Sequence, residues 1–539
     1  NSSATRVNAQ GLVEDVQIIS SDLVQNGDFS QIGSEEVSNG NFSQIGSEEV
    51  TNGSFSQEGV EEVTNGNFDT DSNWAKGTGW SISGGSANCD GTQSSNSELK
   101  QQNGVLGASI DFVVGKTYKV NFDVVVTSGA ITYIEVASGY DSNVITTSGN
   151  HTTYITAVST NDRFTIAANS DFIGSIDNVS VKEVGQDWNL GTGWSIGDDV
   201  AIADGTNTSL SEIRQTSVTT IGNQYKITFK VNEVNNVIEL KGNAVYTRVD
   251  TLGVGTHTIY ITADATYIRF LAFVGSTCSI TNISVKEVGQ NWAFTSGATL
   301  TDIGAKITHT PTAGSIAQTS VLTIGNLYKL TYEITEKITG GLKFNSAVNT
   351  TMITSVGVHT KYFEADGTTA VVARTDASNN DVTITNISVK EVLQNWTVED
   401  YGAVSASAVI TPNTEGVKLE KTVSADWRSS FLVQPFSYTI GSKYKVTFKL
   451  KNGNLPSGGG VFVRARYDYS NQDIASNLVL TNDWVEYTYY FLANSNSNDI
   501  SFGEVSWQNA GVGEYFYVDD VSILEITDDT NLPRINYSG

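Results

Sequence analysis

One ten-residue phrase recurs down this chain at a fixed interval. It reads SIDNVSVKEV at 175–184, SITNISVKEV at 279–288, TITNISVKEV at 383–392 and YVDDVSILEI at 517–526. Val184, Val288 and Val392 lie 104 residues apart, and Ile526 follows 134 later. Self-similarity at a fixed period means repeated structural units, each too small to be the whole core. Two further phrases keep the same order. VGKTYKVNF (114–122), IGNQYKITF (221–229), IGNLYKLTY (324–332) and IGSKYKVTF (440–448) mark the middles. NWAKGTGWSI from Asn73, DWNLGTGWSI from Asp187, NWAFTSG from Asn291 and NWTVEDYG from Asn395 mark the starts. Four modules follow, at 63–184, 186–288, 290–392 and 394–526.

Their interiors read as strands. Tyr225, Ile227, Phe229 and Val231 share one face, and Lys226, Thr228 and Lys230 the other, which is the period-2 alternation of a half-buried strand. Gly, Asn and Ser break these runs at short intervals. Modules of this length, with many short strands and no helical period, predict an all-β fold of tandem β-sandwich or jelly-roll units.

A shorter repeat precedes them. DLVQNGDFSQIGS from Asp22 is followed by EEVSNGNFSQIGS, EEVTNGSFSQEGV and EEVTNGNFDTDSN, placing Phe29, Phe42, Phe55 and Phe68 13 residues apart. The fourth copy runs into Trp74 and reads as module one's first strand; the other three, within 23–62, read as duplicates of it. Asn-Gly favours a tight turn with positive φ. Two readings stay open: an extended arm produced by repeat expansion, or an ordered stack forming a stalk. In a stack the paired glutamates at Glu35, Glu48 and Glu61 would repel.

The net charge of −27 repels phosphate backbones and anionic membrane surfaces, so nucleic acid is not expected as a partner. No apolar run is long enough to span a bilayer, so membrane insertion is not expected either. Cys89 and Cys278 fall in different modules and read as small buried residues. Gly193-Trp194-Ser195-Ile196-Gly197 matches a nucleophile-elbow pattern, but lacks the strand–turn–helix context that pattern needs. His151, His257 and His359 occupy one repeated slot, which Trp484 fills in module four, so the slot reads as packing. No His/Cys metal spacing occurs. The chain is expected not to be an enzyme.

Sugar binding needs aromatic platforms beside fork-shaped polar groups. Module four is richest in them. VFVRARYDY (461–469) puts Phe462, Arg464, Arg466 and Asp468 on one face. With Trp427, Arg428 and Trp507 they form a candidate carbohydrate-binding groove; the competing reading is a surface salt-bridge face above buried tryptophans. Trp80 and Trp194 share a slot that reads as core.

The opening VTNGNFDTDSNW (63–74) and the closing IDNVSV and VDDVSI resemble the jelly-roll carbohydrate-binding modules attached to bacterial glycoside hydrolases. Many of that family hold a structural Ca²⁺ between opening and closing strands, and hard oxygen ligands suit that ion. The resemblance implies Asp69 and Asp177 as ligands in module one and Asp519 and Asp520 in module four. Modules two and three have Thr281-Asn282 and Thr385-Asn386 instead, and lack the Asn-Gly-x-Phe opening, so no calcium site is expected there. Asp177 reads equally well as a turn cap.

The ends, NSSATRVNAQGLVEDV (1–16) and DDTNLPRINYSG (528–539), resemble two parts of one motif of phage tail-fibre and related virion proteins. They imply that segments 1–22 and 527–539 belong to a flanking domain into which the modules are inserted. The expected function is therefore a non-catalytic structural and adhesion segment of a virion appendage. Its partners would be host-surface polysaccharide or glycan and other appendage subunits, in a homo-oligomer that is trimeric by analogy. The alternatives are a bacterial secreted or cell-surface adhesin or filament subunit, and an accessory binding region of a polysaccharide-degrading enzyme.

Overall fold

A computed structural model describes residues 5–7, 13–15 and 18–527, apart from 243–245, 296, 310–312, 346–349, 375–378, 401–407, 414–415, 422–429, 436, 456–459, 466–472, 494–498 and 505–512. The fold is all-β, as expected. Each module is two antiparallel sheets enclosing one core.

Module one sets the pattern. Its larger sheet runs Gly149–Thr156, Thr117–Ser128, Ile173–Val184, Ser86–Asp90, Trp80–Ser83. The smaller runs Gly139–Asp141, Ile131–Val136, Arg163–Ala168, Ser97–Gln102, Ala75–Lys76. The middle phrase is the central strand beside the closing strand. Its Tyr118 is buried, with a hydroxyl that accepts from the Val113 amide at 2.8 Å; Tyr225, Tyr328 and Tyr444 repeat the bond to Thr220, Thr323 and Thr439. The closing phrase bulges at its Asn or Asp. Asn178, Asn282, Asn386 and Asp520 all have φ near +50°, a conformation these side chains tolerate, and the register shifts there.

The 13-residue repeats are neither a loose arm nor a separate stalk. Each is the opening strand of a different module, taken in reverse order. Glu58–Glu61 pairs antiparallel with the closing strand of module one, and Ile45–Glu48 with that of module two, Thr277–Val288. Ile32–Glu35 pairs with that of module three, Asp381–Val392, and Ile18–Ile19 with that of module four, Tyr515–Thr527. Modules two and three therefore do have an Asn-Gly-x-Phe opening, delivered from far upstream. The expected duplicates of one strand are four strands with four destinations.

The chain thus runs out along an arm past modules four, three, two and one, then returns through the modules in sequence. Consecutive modules touch. Tyr154 of module one packs on the core of module two, and its hydroxyl donates to Asp198 at 3.3 Å. Tyr260 of module two does the same against module three, donating to Asp302 at 2.9 Å. Leu327 of module three packs against the core of module four. Chain reach keeps successive modules close. From Phe55 in module two to Val63 in module one there are eight residues, which extend to no more than roughly 28 Å. At the far end of the return path, Ile18 and Ile19 pair with Thr527 and Ile526. Before them Thr5–Val7 pairs with Val13–Asp15; residues 528–539 lie outside the described part.

Candidate functional site

Two kinds of site emerge: the sockets that hold the opening strands, and the outer faces of the smaller sheets.

The socket is built identically in all four modules. The glycine of each Asn-Gly lies against the closing strand so closely that a Cβ on Gly27, Gly40, Gly53 or Gly66 would sit 1.8–1.9 Å from the carbonyl oxygen of Val521, Ile387, Ile283 or Val179. The amides of those same four residues donate to the carbonyls of the same four glycines at 2.8–2.9 Å. The Phe three residues beyond each Asn packs on the module's first tryptophan: Phe68 on Trp74, Phe55 on Trp188, Phe42 on Trp292 and Phe29 on Trp396, at 5.0–5.7 Å. Each indole N–H then donates to an arm carbonyl, at Asn65, Asn52, Asn39 and Asn26 respectively.

A buried glutamine completes each socket. The Gln215 side chain accepts from the Thr51 amide at 2.9 Å and donates to the Thr51 carbonyl at 2.9 Å. Gln101 clamps Thr64, Gln318 clamps Ser38 and Gln434 clamps Gln25 in the same two-bond manner. Sequence reasoning missed these glutamines. The signal was available: Gln215, Gln318 and Gln434 each stand ten residues before the marker tyrosine.

The expected glutamate repulsion does not arise, because each pair reaches a different module. Glu35, Glu48 and Glu61 each accept from a closing-strand serine hydroxyl and from the next backbone amide, at 2.5–2.7 Å. Beside module one, Glu58 adds ion pairs to Lys119 and Lys182 at 2.7 and 3.2 Å. Its hydrogen bond from Lys119 comes first among the effects that hold its carboxyl below the usual range.

On module one, strand alternation turns Glu98 and Lys100 outward while Leu99 enters the core. The register aligns Glu98, Ala167 and Tyr133 in one row and Lys100, Thr165, Glu135 and Tyr140 in the next. Tyr133 donates to Glu98 at 2.6 Å. Burial first, and that bond second, push the Tyr133 hydroxyl well up, so it stays protonated as a donor; the same bond lowers Glu98. Arg163 grips Glu135 through two bonds, and Glu135 is 1% exposed. Tyr140 stands 56% exposed, edge-on to Tyr133 at 5.7 Å. A cavity of about 260 Å³ adjoins this face, lined by Lys76, Gln93, Asn96, Glu98 and Lys100 among others. An exposed tyrosine ring beside fixed carboxylate, ammonium and guanidinium groups suits a polyhydroxylated ligand.

Module two carries a variant of this face. Arg214 and Arg269 lie directly opposite each other, and both guanidinium groups sit over Tyr267, at 5.6 and 5.2 Å. Glu212 bridges the two arginines. On module three the corresponding residues include Ala317, Val371, Ala373 and Ser315, which give no aromatic platform.

Of the module-four groove, Trp427, Arg428, Arg466, Asp468 and Trp507 lie outside the described residues. Phe462 and Arg464 do face away from the core, while Val461 and Val463 enter it. Arg464, however, is 8% exposed, stacks on Phe462 at 4.0 Å and bonds Asp473 at 3.0 Å. It is a packed, ion-paired side chain, not an open fork.

Each metal-ligand candidate has a protein partner. Asp69 accepts from Asn67 and Asp177 from the Asn178 amide of the bulge. Asp520 pairs with Lys449 at 2.6 Å, and Asp519 accepts from the Asp520 amide. Burial, followed by the charges of Asp520 and of Asp28 from the arm, raises the Asp519 carboxyl. Among the described residues no three His, Cys, Asp or Glu side chains form a metal-binding group.

His151, His257 and His359 pack against Phe122, Phe229 and Tyr332, as packing residues. The residue opposite Phe448 in module four is Tyr487, not Trp484; sequence alignment by Trp484 was three residues out. Trp80, Trp194, Cys89 and Cys278 are buried, and burial lifts the Cys278 thiol to about 12.

No family model and no curated protein matches the chain. Among solved structures it is similar to one described as "CBM4 structure and function", at 18% identity over 24% of this chain and 86% of that one, TM-score 0.19. It is similar to the CBM22-1-CBM22-2 tandem domain of Paenibacillus barcinonensis Xyn10C, at 12% identity over 44% and 94%, TM-score 0.19. A chain of Sulfolobus Turreted Icosahedral Virus matches at 11% identity over 64% and 90%, TM-score 0.19. Scores this low carry no conclusion about function.

Proposed function

We propose that this chain is a non-catalytic adhesion rod of a phage tail fibre or comparable virion appendage, with modules one and two recognising host-surface polysaccharide or glycan. The observation that carries this reading is the hairpin path. Ile18–Ile19 and Ile526–Thr527 pair beside module four, so both connections of the array leave from one end and module one stands at the other. The exposed Tyr140 and its polar surround then lie on the module farthest along the array from those connections. Weak sites of this kind gain from repetition through effective concentration, which suits a homotrimer among other appendage subunits. Module three, with no aromatic platform among the described residues of that face, acts as a spacer.

The test is a glycan array on the full chain with Tyr140→Ala. Intact chain should bind host-surface polysaccharide, and the variant should lose about tenfold or more, as for a central aromatic anchor. No binding by the intact chain would sink the recognition role. Binding that survives Tyr140→Ala but not Arg269→Ala would move the site to module two.

A further inference from the structure

We propose that the opening strands are exchangeable ligands: the arm of one copy of this chain fills the sockets of a second copy, giving an intertwined oligomer.

Three observations carry this. The sockets are chemically alike, each offering a closing-strand backbone, a tryptophan N–H and a glutamine amide to the same Asn-Gly-x-Phe backbone. The opening strands are alike too: Ile32–Phe42 and Ile45–Phe55 differ only at Ser38/Thr51 and Asn41/Ser54. Nothing in the contacts of either strand marks it for its own copy.

The third observation is remoteness. The bonded pairs Asn65–Trp74, Asn52–Trp188, Asn39–Trp292 and Asn26–Trp396 are separated by 9, 136, 253 and 370 residues. Only module one has its opening strand beside it. The sockets of modules two to four are each completed by a segment joined to them through another module, which is the arrangement that lets an identical segment from a second chain take its place. Selection of the chain's own arm then rests on effective concentration alone, and rising protein concentration competes with it.

The register supplies the test. Glu48 and Lys286 are direct partners across the antiparallel pair, and such pairs place Cα atoms about 4.5–5.5 Å apart, within disulfide reach. The native Cys89 and Cys278 are buried. Glu48→Cys is made in one full chain and Lys286→Cys in another. The two are unfolded, mixed and refolded across a range of concentrations, then oxidised. A chain carrying both substitutions must close internally, which shows that each is compatible with the socket. The expected result is a covalent mixed dimer whose yield rises with protein concentration. Refolded monomer with no mixed dimer at any concentration, while the double variant closes internally, overturns the proposal. Glycan binding is not involved in either outcome.

Discussion

At Gly53 the arm passes so near the Ile283 carbonyl that even a methyl group has no room. Gly53→Val should therefore expel the opening strand and destabilise module two by about 3 kcal/mol or more, the range of severe local strain. Gly367, around which a Cβ would meet nothing, is the control; Gly367→Ala should stay within about 0.5 kcal/mol. Calorimetric melts of both variants check this. Glu58 supplies a pH signature. Its folded carboxyl titrates below the ordinary glutamate value because Lys119 and Lys182 bind it. Its contribution is then fully present above the ordinary value and lost as pH falls through the lowered one. Glu58→Gln should lower the neutral-pH melt of module one slightly, since part-exposed pairs contribute little, and flatten the acid-side loss by the same amount.

The opening strand as an element contributes both backbone bonds and buried apolar area. Phe55 and Phe68 are 1% exposed, and complete burial of such a side chain contributes about 1.5–3 kcal/mol. Because the sockets read the Asn-Gly-x-Phe backbone and not side-chain identity at the variable positions, the strands should be interchangeable. Thr51→Ser with Ser54→Asn, which gives module two the opening strand of module three, should leave the thermal midpoint unchanged within about 1–2 °C. A fall of many degrees would mean that each socket selects its own strand. The smaller sheets behave differently. Their outer faces tolerate divergence, from the Tyr/Glu/Arg face of module one to the alanine- and valine-bearing face of module three, because no opening strand depends on them.

Across the whole molecule, the nested path makes assembly directional. Loop-closure entropy grows with loop length, so module one, whose opening strand is adjacent, closes first. Each closed module then shortens the loop for the next, and the arm zips towards module four. Deleting residues 1–30 removes the Thr5–Val7/Val13–Asp15 pair and, from module four, the strand Ile18–Ile19 with Val24 and Phe29. Hydrogen exchange should then show lost protection in Tyr515–Thr527 and Lys443–Asn452, with modules one to three unaffected. Loss of protection throughout would show that the file folds as one cooperative unit.

The sequence by itself determined the all-β class, the four modules, the inward positions of the middle and closing strands and the buried state of Trp80, Trp194 and both cysteines. These follow from period-2 alternation and repeated phrases, which are local properties. It also displayed the four Asn-Gly-x-Phe copies and four closing phrases in plain view. What it could not state was their pairing, because an antiparallel ladder is satisfied by any compatible partner and sequence distance carries no information about which. Tertiary structure decided that the copies are distributed one to a module in reverse order. It also turned the glutamine before each marker tyrosine into a clamp and packed Arg464 against Phe462. The physical reason for the pairing and the clamps is that backbone bonds and burial are settled by which segments meet, and here segments as remote in sequence as Ile18 and Thr527 meet.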